Sequence, residues 1–94
     1  MQRITKAVLE SRVQSLNERL GMPTKPYALN EETGRYDHQP GCYYVDASYG
    51  AFRLERMCDS GGSRDVSLRG PRREVYNFIG AMFSGMQALE AATV

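Results

Sequence analysis

The sequence of 94 residues has one histidine, two cysteines, no excess of either charge and no long apolar run, and each shortage excludes something. A hydrolytic triad needs its histidine held rigidly by an orienting partner. The single histidine, His38, lies in a Pro/Gly-rich stretch beside Gln39 and Pro40 and reads as an exposed loop residue. One histidine and two dispersed cysteines are too few for a zinc site. Cys42 and Cys58 lack Cys-x-x-Cys spacing; free, half-buried thiols suit them better than a disulfide across neighbouring strands. Gly61-Gly62-Ser63 lacks the Lys-Ser/Thr continuation of a phosphate-binding P-loop. Glu31, Glu32 and Asp37 lie in a polar loop without acid–base patterning. The expectation is a non-enzyme with no catalytic residue, no metal and no cofactor.

Twelve basic residues against eleven acidic ones leave a net charge of +1. Proteins that grip duplex nucleic acid usually show a clear basic excess, so nucleic acid is not the expected partner. Any bound anion should be small and held by a local cluster. A bilayer span needs about 20 apolar residues, and none is present. The opening Met1-Gln2-Arg3-Ile4-Thr5-Lys6 leads into a charged amphipathic stretch rather than a signal-peptide core. Cytoplasmic residence is therefore the expectation.

What is present fits one small α+β domain over residues 1–94. Thr5 can cap a helix over residues 6–20, with Leu9, Val13, Leu16 and Leu20 on one face and Gly21 as its stop. Residues 22–41 are rich in Pro, Gly and charge. Within them residues 27–29 and 35–37 either pair as a short hairpin or belong to a surface loop pinned by Tyr27 and Tyr36. Residues 42–47, 51–58 and 64–68 have β composition, with Phe52 and Leu54 on one face and Arg53 and Glu55 on the other. Val66 and Leu68 are expected to point inward. Gly70-Pro71 opens a last helix to about residue 91, carrying a broad stripe from Val75 to Leu89. The predicted architecture is helix, three-stranded antiparallel meander, helix, with both helices on the apolar sheet face. Two open sheet edges and a wide apolar helix predict a dimer or larger homo-oligomer.

Two features point to binding. Arg69, Arg72 and Arg73 surround the start of the last helix, an end that already carries partial positive charge and free amides. They suit a phosphate there; alternatively they are exposed, or paired with Glu74 and Glu55. Tyr43, Tyr44 and Tyr49 lie on or beside the hairpin that bears Arg53 and Arg56. Tyrosine faces near guanidinium groups can seat a purine and its phosphate, although such pairs are also ordinary cross-strand packing. Neighbours on a strand face opposite ways, so one of Tyr43 and Tyr44 belongs to the core.

The segment Tyr-Tyr-Val-Asp-Ala-Ser-Tyr-Gly-Ala-Phe-Arg-Leu-Glu-Arg (43–56), Ser-Gly-Gly-Ser (60–63), Arg69, Arg-Glu-Val-Tyr (73–76) and Leu-Glu-Ser-Arg-Val-Gln-Ser-Leu-Asn (9–17) resemble a widespread group of small phage proteins. Ala51 stands where that group commonly has a second glycine, and Ser63 where its loop often continues with Gly or Val. Small phage proteins of this size include anti-defence sponges, which sequester the cyclic nucleotide signals of bacterial CBASS and Thoeris immunity without cleaving them. The resemblance implies a homo-oligomer in the cytoplasm of an infected host, binding a cyclic dinucleotide such as cGAMP. Phosphate would fall to Arg69, Arg72 or Arg73, and base stacking to Tyr49 or Tyr43, with Arg53 and Arg56 nearby. The rival expectation is a protein-interaction module that inhibits a host enzyme through the last helix or a sheet edge.

Overall fold

The computed structural model describes residues 3–92. Helix α1 spans Lys6–Leu20, strand β1 Tyr27–Asn30, β2 Arg35–His38, β3 Tyr43–Ser48, β4 Ala51–Met57, β5 Ser63–Asp65, and helix α2 Arg72–Ala92. Strands β1 and β2 form a two-stranded antiparallel hairpin, and β3, β4 and β5 form a separate antiparallel meander in that order. The chain is thus α+β with a helix at each end.

Helix α1 has the predicted ends. The Thr5 hydroxyl accepts from the Val8 amide at 3.2 Å, and Gly21 closes the helix in the left-handed region with φ of 68°. Leu9, Val13 and Leu16 meet Leu54 of β4 and Val75 and Ile79 of α2 in one buried core, completed by Ile4. Tyr43, Val45, Phe52 and Val66 pack against it. All share the sheet face of Leu54, so both helices cover one side of the meander. Arg12 lies against Tyr76 and Phe83 and Arg19 pairs with Glu90, so the helices run in the same direction.

Three local outcomes differ from the sequence expectation or decide between its alternatives. The 27–38 region forms the hairpin, with Leu29 opposite Tyr36 and Tyr27 opposite His38. His38 is consequently not a free loop residue: half-buried, its Nε2–H donates to the Asp59 carbonyl at 2.8 Å, and its ring packs on Gly61. Strand β5 stops at Asp65, and Leu68, expected inward, is 91% exposed. The cause is local: the Leu54 carbonyl accepts from both Val66 and Ser67 amides, and the Ser67 hydroxyl takes the Leu54 amide. Two consecutive amides spent on one carbonyl make a bulge, which resets the two-residue alternation and turns Leu68 outward.

The glycines inside α2 have different surroundings. A side chain at Gly80 would run into the Arg12 guanidinium, whereas Gly85 faces open space. Gly80 therefore seats Arg12, whose guanidinium carbon lies 4.4 Å from the centre of the Tyr76 ring.

Candidate functional site

The strands of the meander place its cations at two ends. Tyr49 and Gly50 form the tight turn between β3 and β4, with Ser48 opposite Ala51. Tyr49 has a positive φ of 55° and is fully exposed. Tyr43 lies opposite Arg56 at the far end of the same hairpin. Six residues at roughly 3.3 Å each separate Tyr49 from Tyr43 by about 20 Å. One small ligand cannot touch both within a single chain.

Near the turn, each arginine already has company from its own chain. Arg69 Nη2 donates to Asp46 Oδ2 at 2.6 Å, and Nη1 to the Ala51 carbonyl at 3.5 Å. Its partner is Asp46, not the Glu55 or Glu74 considered from sequence. The hydrogen bond from Arg69 holds the Asp46 carboxyl below its ordinary pKa. Arg72 stacks over Phe52, 5.3 Å from the ring centre. Arg73 is exposed on the first turn of α2. The Glu74 carboxylate folds back over Gly70, so this helix start has an anionic group of its own.

Arg53 belongs to a charged layer on the outer sheet face. Its Nη2 donates to Glu55 Oε2 at 3.2 Å, and its Nε lies 3.2 Å from Asp65 Oδ1, at ion-pair distance but without hydrogen-bond alignment. Glu55, only 5% exposed, also accepts from Ser63 Oγ at 2.7 Å and from the Tyr44 hydroxyl at 3.4 Å. Burial raises the Tyr44 phenol above its ordinary pKa. A buried carboxylate needs such partners, so this layer is self-consistent structure.

The far end is different. Arg56 and Arg64 are directly opposite across β4 and β5. Like charges in that position repel, yet neither has a carboxylate partner among the described residues. The Arg56 guanidinium carbon lies 5.3 Å from the Tyr43 ring centre, and its Nε donates to the Gly41 carbonyl at 3.4 Å. The two arginines form a ridge between two hollows. One, of about 300 Å³, is lined by Tyr43, Val66 and Asp65 beside them. The other, of about 280 Å³, adds Gly41, Met57, Cys58 and Asp59.

Of the residues singled out from sequence, the fold therefore brings together Tyr43 and Arg56. Tyr49, Arg69, Arg72 and Arg73 lie toward the opposite end, and Arg53 on the outer face. Arg64 was missed by sequence reasoning. Its signal was available in the register of the Cys58–Ser63 turn, which sets it against Arg56. Asn17 was missed too, although it sits on the apolar stripe of α1. It is 1% exposed, accepts from the Tyr43 amide at 2.8 Å and donates to the Tyr43 carbonyl at 2.9 Å.

Cys42 and Cys58 are free thiols, and burial raises the Cys42 pKa. Among the described residues no group of three or more His, Cys, Asp or Glu side chains gathers around a possible metal position. No helix among them is long and apolar enough to cross a membrane. No known protein family, no curated protein and no solved structure matches the chain significantly.

Proposed function

We propose that this protein works by capture rather than by chemistry, binding a small phosphorylated aromatic molecule of the cyclic nucleotide class at the Arg56–Arg64 ridge. The observation that carries this reading is the pair of register-opposed arginines without carboxylate partners among the described residues, set beside the Tyr43 ring. Bringing a phosphodiester between them replaces repulsion with two charge-assisted contacts. A cyclic dinucleotide has two phosphodiesters flanked by two bases, a pattern that fits a cationic ridge between two hollows. In the setting implied by the resemblance to small phage proteins, capture of a cyclic dinucleotide immune signal would blunt bacterial anti-phage defence. Calorimetry of the wild-type chain against cyclic dinucleotides, cyclic mononucleotides and inorganic phosphate tests it. Micromolar binding by a cyclic nucleotide that is lost in Arg56→Glu supports the reading; no binding by any member removes it.

A second reading rests on α2. From Val75 to Leu89 the helix carries no charged side chain, yet Phe78 is exposed and Leu89 is 67% exposed. Solvated helix faces normally carry charge, so this face suits a protein surface, whether a second copy or a host enzyme. Light scattering on wild type and Leu89→Lys separates the two: loss of a dimer identifies self-association, and a monomer in both leaves the host enzyme.

A further inference from the structure

Strands β3 and β5 are the two edges of the meander, and they are finished differently. β5 is three residues long, and Ser63, Arg64 and Asp65 are all exposed. A short, charged strand blunts an edge against further pairing. β3 is six residues long and, among the described residues, has no strand on its outer side. There the Asn17 side chain satisfies both backbone groups of Tyr43, imitating one residue of a neighbouring strand. Backbone direction alternates along an antiparallel strand, so Val45 and Ala47 turn their amides and carbonyls outward as Tyr43 does. Among the described residues no hydrogen bond uses those four groups. A cleft of about 310 Å³ runs along the same edge, walled by Glu10, Val13 and Gln14 of α1 and by Thr24 and Pro26.

We infer that the outer edge of β3 is a docking site for one extended peptide segment of a partner protein, which adds as a fourth strand and places an aliphatic side chain in the cleft. Donors and acceptors at strand spacing match an extended backbone and not a helix, whose groups are satisfied internally. Val13, Pro26 and Val45 make the inner lining apolar, and Glu10 on the wall, whose exposed pair with Lys6 is a long 3.9 Å, keeps acceptor capacity for a Lys or Arg beside the aliphatic anchor. A lone extended segment brings no helix of its own to the edge, whereas a second copy pairing through its β3 would bring its α1 wall with it. The proposal is independent of the arginine ridge.

The test is selection of linear heptapeptides from a displayed library on the full chain, followed by affinity and amide-exchange measurements with the enriched peptides. Enriched peptides should share an aliphatic residue flanked by Lys or Arg, and should slow exchange of the Val45 and Ala47 amides at least about tenfold. Thr24→Trp, which fills the cleft from an exposed position, should weaken them at least about tenfold, equal to ~1.4 kcal/mol. Glu10→Lys should remove the basic preference. Three results overturn the inference: no enrichment, affinity that survives Thr24→Trp, or peptide binding that leaves both amides unprotected. Protection of those amides without any peptide also overturns it, because the edge would then be covered by the chain itself or a second copy.

Discussion

The two ends of the β3–β4 hairpin carry similar residues and treat them in opposite ways. At the turn end, Arg69 is held by Asp46, Arg72 rests on Phe52, and Glu74 folds over the helix start. At the open end, Arg56 and Arg64 are opposite in the strand register, with no carboxylate partner among the described residues. An arginine with a partner is explained by the fold that it supports. An arginine that the register sets opposite another arginine asks for a different explanation, which a bound anion would supply. Clustering of cations in sequence is therefore a weaker signal than the absence of a partner in space.

The comparison breaks first at the paired cations. Glu55→Ala strips Arg53, Ser63 and Tyr44 of their shared acceptor, and should cost about 2–3 kcal/mol in urea unfolding. A loss below about 0.5 kcal/mol would mean that the outer layer is merely solvated charge. Asn17→Ala leaves the Tyr43 amide unsatisfied at the open end and should cost about 1–3 kcal/mol by the same measurement. Arg64→Glu should do the reverse. Creating an opposite-charge pair with Arg56 should raise stability by about 0.2–1 kcal/mol, while calorimetry shows cyclic nucleotide capture lost. Equal loss of capture in Arg72→Glu would erase the distinction between the two ends.

Smaller effects sharpen the turn end. Tyr49 occupies a left-handed position in a turn that favours Asn-Gly, so Tyr49→Asn should stabilise by up to about 1 kcal/mol and leave capture unchanged. The Asp46 carboxyl has a lowered pKa in the folded chain, chiefly through its hydrogen bond from Arg69. Its contribution to stability is present above the ordinary carboxylate range and is lost as pH falls through the lowered value. Arg69→Gln should therefore reduce the acid sensitivity of the urea midpoint, and carboxyl NMR should show Asp46 titrating nearer its ordinary pKa.

Helix α1 was legible almost to the residue, because its cap, its stripe and its stop are all written locally in Thr5, Leu9, Val13, Leu16 and Gly21. The faces of β4 followed from alternation, and Phe52 and Leu54 do turn to the core while Arg53 does not. Leu68 was not legible. Its direction depends on a bulge created when Ser67 takes over a ladder position on Leu54. Of the site, Tyr43 and Arg56 could be chosen from composition, but their distance from Tyr49 and their closeness to Arg64 follow from register.

Sequence by itself determined the two helices with their apolar stripes and the three strands of the meander, because each depends on residues within a few positions of one another, while the pairing of residues 27–38 stayed open. Tertiary structure alone decided which cations are neutralised: Arg69 and Asp46 are 23 positions apart, and nothing local to either announces the pair. It also decided that Asn17 finishes only the first residue of the β3 edge. A hydrogen bond between distant segments is fixed by packing, and packing is a property of the whole fold.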